Sequence, residues 1–376
     1  MKYSIEIGKI VEGALKHDHV KVINYTRQLI AKLEDDGETR AASKFSKMLS
    51  TQAVSTLSAM GMRSDPLVPV DTESRTVLAD VVYPSENNIE VILSKGNLES
   101  LNSFILSYQN ADKLNALGIG VSNTLLLYGP PGCGKTQCAY LIAKKLNLPL
   151  VVARLDSLIS SYLGTTAKNI RALFEFAQKM PCVLFLDEFD AIAKARDDSN
   201  ELGELKRVVN SLLQNVDAMS NDSLLIAATN HDALLDSAVW RRFEYKMKIE
   251  MPDYDAILQM IDLFTHNASN LSNKEKGELA TAFVGLSGAS IEEILVKAIR
   301  NAVISGNAIS KQNYYEELFK FKNVIPQTSC SEKTVLKLKA KYLRQCDDKV
   351  FSLQVIAEIL NSSKTTISKL VKDGEE

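Results

Sequence analysis

The sequence predicts an α/β protein whose centre is a parallel β-sheet with helices on both faces, flanked at each end by a small all-α module. Three observations carry that prediction. Between Leu125 and Ile249, short apolar runs alternate with stretches of helical periodicity, the pattern of strand–helix–strand units. The first run, Leu125-Leu126-Leu127-Tyr128, passes directly into Gly129-Pro130-Pro131-Gly132-Cys133-Gly134-Lys135-Thr136. Outside this core, residues 3–50 and 353–372 space their apolar residues as helices do.

Length and composition bound the rest. A chain of 376 residues is long enough for a substantial core and one or two appendages. Its 44 Lys+Arg against 46 Asp+Glu leave a net charge of −2, so there is no global attraction to nucleic acid or anionic membrane and any basic patch must be local. Five cysteines (133, 138, 182, 330, 346) without CxxC spacing argue against a disulfide framework or a zinc site. The N-terminus is broken by charges, and no run approaches the ~18 apolar residues that span a bilayer. The expectation is a soluble, cytoplasmic protein with no membrane partner.

In chain order, residues 3–50 read as three helices, carrying Ile7, Ile10, Val11 and Ala14, then Val20, Val22, Ile23, Ile30 and Leu33, then Ala41, Ala42, Phe45 and Leu49. Asp35-Asp36-Gly37 separates the last two. A module this small is marginal alone, so it is a cap or an adaptor for a partner. His17 and His19 lack the further ligands of a metal site and are expected in solvent. Residues 51–75, rich in Ser, Thr and Pro, read as a linker. A leader of helical segments, 76–123, delivers the chain to Leu125. The helix after Thr136 leads to a strand at 148–155, a helix near 169–180 leads to a strand at 182–186, and further strands follow at 223–228 and 245–249. Active groups should gather at the carboxyl ends of such strands.

Residues 129–136 form a phosphate-binding loop. Glycines 129, 132 and 134 let backbone N–H groups turn inward around a polyphosphate. The Lys135 amine can reach the β- and γ-phosphates of ATP, and the Thr136 hydroxyl can ligate Mg²⁺ at a helix N-terminus that itself favours anions. The apolar run 183–186 ends in Asp187-Glu188. An acid there suits Mg²⁺, and its neighbour suits a base that polarises the attacking water; Asp187 is the metal candidate and Glu188 the base. After the next strand, the Asn230 amide can orient that water or sense the γ-phosphate.

These residues resemble the AAA ATPases, especially the single-ring branch that includes katanin and spastin, over about 95–320. GPPGCGKT resembles that family's Walker A, VLFLDEFD at 183–190 its Walker B, and IAATN at 226–230 its sensor-1 strand. LDSAVWRRF at 235–243 is similar to the segment with its arginine fingers, Arg241 and Arg242. GLSGAS at 285–290 is similar to the lid turn that brings Gly288 and Ala289 against the nucleotide. The resemblance implies a P-loop AAA parallel-sheet domain with an α-helical lid, working as a homo-hexameric ring. It also implies a pore loop at Tyr162, Leu163 and Gly164 gripping a protein client, with Arg196–Glu201 a candidate second pore loop. Ser290 stands where the family's turn has Asp, and Trp240 where relatives carry arginine or glycine; which arginine is the main finger stays open.

The expected domains are a helical module at 1–50, a linker at 51–75, the nucleotide-binding domain at 76–251, the lid at 252–325 and a C-terminal module at 326–376. That last module joins a basic helix to Ile356, Ala357, Leu360, Ile367 and Leu370 at helix-turn-helix spacing. The layout is similar to bacterial AAA ATPases paired with subtilisin-like proteases. The expected function is ATP-driven remodelling of a protein client, with a protease as possible partner; the alternative is a nucleic-acid-directed ATPase whose C-terminal helices grip DNA.

Overall fold

A computed structural model of the protein describes residues 3–15, 19–56, 68–71, 73–84, 91–159, 163–193, 204–219, 223–265, 268, 271–325 and 331–372. The chain divides into two compact units. The sheet unit holds Met1–Val91, Gly96–Gly129 and Lys135–Lys248. The helical unit holds Ile92–Lys95, Pro130–Gly134 and Ile249–Glu376.

In the sheet unit, helices Ser4–Leu15, His19–Asp35 and Thr39–Thr56 pack around Leu29, Leu33 and Ala42, with Ile7, Ile10 and Phe45 against them. The six strands are β1 (Ala79–Val82), β2 (Thr124–Tyr128), β3 (Leu150–Ala153), β4 (Val183–Leu186), β5 (Leu224–Thr229) and β6 (Tyr245–Lys248). Their order is β1-β3-β4-β5-β2-β6, all parallel except β1, which pairs antiparallel with β3. Leu125, Leu126 and Leu127 are fully buried, as are Val183, Leu184 and Phe185, which is why these strands read as unbroken apolar runs rather than alternating ones.

Strand β1 corrects the expectation of a purely helical leader. It has four residues, too few to impose a period, and it exists through pairing with Val151–Ala153 and Leu150 far along the chain. Helices Lys95–Gln109 and Ala111–Ala116 follow it in that leader. The stretch read as a linker is also partly structured. Residues 51–56 belong to the third helix, and 68–71 with 73–78 form a turn around Asp71, whose side chain accepts hydrogen bonds from Ser74 N (2.9 Å), Ser74 Oγ (2.6 Å) and Asn169 Nδ2 (3.2 Å). Those bonds from Ser74 hold the Asp71 carboxyl at about 2. Thr165 Oγ1 donates to Glu73 Oε1 at 2.9 Å, a second tie from this turn to helix Leu163–Gln178.

The helical unit is built from Tyr254–Thr265, Asn273–Phe283, Gly288–Ile304, Lys311–Phe321, Glu332–Cys346, Leu353–Ile359 and Lys364–Lys372. Serines 272, 287, 331 and 352 cap four of these helices by accepting from a backbone N–H in the first turn. One apolar cluster runs from Ile257, Phe283 and Ile294 through Tyr315 and Phe319 to Leu343, Phe351, Ile356 and Ile367. The C-terminal helices therefore share a core with the helices before them. Glu278 lies against this core, 5% exposed, with its Oε2 unpartnered among the described residues. Burial raises its pKa.

Candidate nucleotide site

The parallel register of β4, β5 and β2 (Leu186 opposite Ala227, Tyr128 opposite Thr229) brings Gly129, Asp187 and Asn230 out at one edge of the sheet. Gly129, Gly132 and Gly134 adopt φ of 135°, 71° and 95°, conformations that a side chain would strain. Lys135 starts helix Lys135–Leu146, is 6% exposed and donates from Nζ to the Gly129 carbonyl at 2.7 Å. The amine thus lies folded inside its own loop.

Thr136 Oγ1 donates to Asp187 Oδ2 at 2.7 Å. A hydroxyl and a carboxylate side by side at a strand end are hard oxygen donors of the kind Mg²⁺ takes, so the chain's own residues fit that ion. Among the described residues, no group of three or more His, Cys, Asp or Glu side chains could hold a metal alone. That also suits Mg²⁺, which uses few protein oxygens beside substrate phosphates.

Glu188 is the unusual residue of the site. Its φ is +46°, a left-handed backbone rarely adopted by a residue of this kind. Three bonds hold it there: Glu188 N to Asp187 Oδ1 (2.9 Å), Phe189 N to Ala228 O (2.8 Å) and Ala191 N to Glu188 O (2.9 Å). Phe189, fully buried, meets Phe243 edge-on at 5.5 Å. The buried ring fixes the backbone and leaves the Glu188 side chain exposed. Thr229 Oγ1 donates to Asp190 Oδ1 (2.7 Å) and accepts from His231 N (3.0 Å), which sets the chain around Asn230. Asp190 and Thr229 lie inside the runs 183–190 and 226–230, and the sequence assigns neither a separate role.

The two arginines differ. Arg242 donates from Nε and Nη2 to Asp217 Oδ1 and Oδ2 at 2.9 and 3.1 Å, and this hydrogen-bonded pairing raises its pKa. Arg241 is exposed and makes no ion pair among the described residues. Trp240 packs edge-on against Tyr128 at 5.2 Å, with Lys246 Nζ 5.8 Å from its ring centre. Asp217 is 25 residues from Arg242, and nothing local in the sequence announces the pair.

In the helical unit, the loop tip 130–134 meets the turn before Gly288–Ile304. Ala289 N donates to Gly132 O at 3.0 Å, and a Cβ on Gly132 would come within 2.9 Å of Ser287 Oγ. A Cβ on Gly288 would lie 3.2 Å from Met260 Cε. Ser287 Oγ accepts from Ser290 N (3.3 Å) and lies 2.9 Å from Ser290 Oγ. The hydroxyl at 290 therefore joins the cap in place of the family's carboxylate. Cys133 Sγ sits 3.6 Å from Met251 Sδ.

Of the pore-loop candidates, Tyr162 lies outside the described residues, as do Arg196–Glu201. Leu163 opens helix Leu163–Gln178, and Gly164 has open space around its Cα. His17 is likewise outside, and no helix among the described residues is long and apolar enough to cross a membrane.

A mainly parallel sheet with a glycine-cradled lysine after β2 and an acid pair at the end of β4, one strand away across β5, defines a P-loop nucleotide-hydrolysing domain. Residues 125–251 match the family described as ATPase family associated with various cellular activities (AAA). An uncharacterized AAA family ATPase of Sinorhizobium fredii is 43% identical over 239 residues, 64% of this chain and 72% of that protein. The chain belongs to the AAA ATPase family and is an ATP hydrolase. A proteasome-activating nucleotidase of Methanococcus maripaludis is 33% identical over 219 residues, and the chain covers 54% of its length. Among solved structures, the FIGL-1 AAA domain is matched with a TM-score of 0.56 at 21% identity, over 75% of this chain and 98% of that one, a likeness of fold.

Proposed function

We propose that the protein is a ring-forming remodeller that couples ATP hydrolysis to pulling on a protein client. The observation that carries this reading is the unequal state of the two arginines. Arg242 is tied to Asp217 within its own chain, whereas Arg241, equally exposed, makes no ion pair among the described residues and is the finger offered to a neighbouring subunit's γ-phosphate. A cation supplied in trans makes hydrolysis depend on assembly, which is the logic of a hexameric ring. Kinship with a proteasome-activating nucleotidase supports a protein as client and a protease as receiver; a subtilisin-like protease is one form of that partner. Five cysteines without paired spacing favour a reducing cytoplasm.

Within one subunit, Gly129–Gly134 and Lys135 hold the phosphates and Thr136 with Asp187 holds Mg²⁺, which supplies charge neutralisation when bound. Glu188 accepts a proton from the attacking water, and its strained backbone, fixed by Phe189, aims the carboxylate at solvent where that water enters. Asn230 orients the water. Gly288 and Ala289 support the loop tip from the lid, and Tyr162, Leu163 and Gly164 grip the client. The nucleic-acid-directed alternative rests on the C-terminal helices alone and uses the same ATPase cycle. The test is a Glu188→Gln trap incubated with ATP: it retains a protein client that a Glu188→Gln/Tyr162→Ala trap releases. Equal retention by both would overturn the threading reading.

A further inference from the structure

The last two helices carry a chemistry that the ATPase cycle does not use. Leu353–Ile359 ends at Leu360, followed by Asn361 at φ +49°. Ser362 N donates to Ala357 O at 2.9 Å, the six-to-one bond of a Schellman closure. Asn takes the left-handed position where glycine is commoner. Two residues later Ser363 caps Lys364–Lys372, its Oγ accepting from Thr366 N at 3.1 Å. The chain is thus turned within three residues, the span that joins a helix-turn-helix pair.

Burial sorts the faces. Ile356, Ala357, Ile367 and Leu370 are between 0 and 3% exposed, and the first three share a core with Ala340, Leu343 and Phe351. Ala357 has the small side chain that a close helix approach requires. Outward stand Lys364, Thr365, Thr366 and Lys369. No acid occurs from Asn361 to Lys372, and Lys364 and Lys369 have no ion-pair partner among the described residues. The nearest acid on the preceding helix, Glu358, is engaged by Gln354 (3.1 Å) and lies 3.8 Å from Lys311.

We propose that this pair of helices binds duplex DNA, with the exposed face of Lys364–Lys372 entering the major groove. A face of lysines and short hydroxyls without an exposed apolar anchor is a poor seat for a protein partner, which needs buried aromatic or aliphatic contacts. It suits phosphates and base edges. The N-terminus of the nine-residue helix adds its dipole to the attraction for phosphate, and the groove, about 12 Å wide, admits a helix. With two lysines on the face, about two phosphates are neutralised, giving a log–log salt slope of about −1.8 and roughly a 12-fold loss of affinity from 50 to 200 mM salt.

The experiment is a fluorescence-anisotropy titration of the full-length protein, with ATP, against a labelled mixed-sequence duplex. Wild type binds at 50 mM salt with the slope given above. Lys364→Glu/Lys369→Glu weakens binding at least tenfold while ATP hydrolysis is unchanged, which also shows that the variant is folded. Thr365→Lys, a gain of charge on the same face, steepens the slope by about one. No binding by the wild type, or binding that both variants leave unaltered, would overturn the proposal and leave the face to a protein.

Discussion

The sheet unit and the helical unit place their important residues by different means. In the sheet unit, Lys135, Asp187, Glu188 and Asn230 each stand within a few residues of an apolar strand end, and parallel pairing delivers them to one edge. In the helical unit, the outward lysines of the last helix are defined by what lies behind them, a core shared from Ile257 to Ile367. The first arrangement fixes chemistry by position along a strand, and the second by which face burial leaves free. Mutations should therefore act differently in the two, sharply on rate in one and gradually on folding in the other.

The largest expected effect tests the strand-end half of that contrast. Lys135→Ala should abolish nucleotide binding, whereas Glu188→Gln should retain it and lower the hydrolysis rate by about 10²–10⁴; equilibrium binding of a labelled nucleotide beside a phosphate-release assay separates the two. Wild-type turnover by Glu188→Gln would sever position from chemistry.

Next comes the arginine pair. Arg241→Ala should cost about 10³ in rate. Arg242→Ala should cost less than about tenfold, because it removes only an exposed ion pair. Mixing the Arg241→Ala protein with Lys135→Ala should restore part of the activity, since each supplies what the other lacks. Reversed severities would make Arg242 the finger.

In the helical unit, Phe351→Ala empties a fully buried site against Tyr315 and should destabilise by about 3–5 kcal/mol. Calorimetry should then show one transition lowered by roughly 6–15 °C and the other left in place. Two transitions falling together would mean that the units melt as one, and the contrast drawn above would fail.

The smallest effects concern pH and have opposite signs in the two units. Asp71 has a depressed pKa, so its contribution is full above the ordinary carboxylate value and is lost as pH falls through about 2. Asp71→Asn should erase that acid-limb dependence. Glu278 has a raised pKa, so the unit holding it is favoured below the unfolded value and loses that advantage as pH rises through the folded one. Glu278→Gln should raise the melting temperature by a few degrees at neutral pH and change it little near pH 4, as followed by circular dichroism.

Much of this was legible in the sequence because it is local. The parallel strands β2 to β5 are apolar runs, each loop glycine sits in a fixed pattern, and the C-terminal helices show their buried positions at helical spacing; β6, Tyr245-Lys246-Met247-Lys248, is the parallel strand that is not such a run. Strand β1 was not legible, since it has four residues and draws its existence from β3. The Asp71 turn lay hidden in a Ser- and Pro-rich stretch because its partner, Asn169, is 98 residues away. The Asp217–Arg242 pair and the left-handed Glu188 escaped for the same reason: both depend on contacts that only the folded chain brings together.

Trp240 is the single tryptophan of the chain, and its ring lies against Tyr128, the residue immediately before the first glycine of the loop. Indole emission responds to changes in its immediate surroundings. The protein thus carries an unlabelled optical reporter at the foot of its nucleotide loop and next to Arg241. Loading, hydrolysis and release can be followed in real time from the intrinsic fluorescence of one side chain, with Trp240→Phe as the silent control.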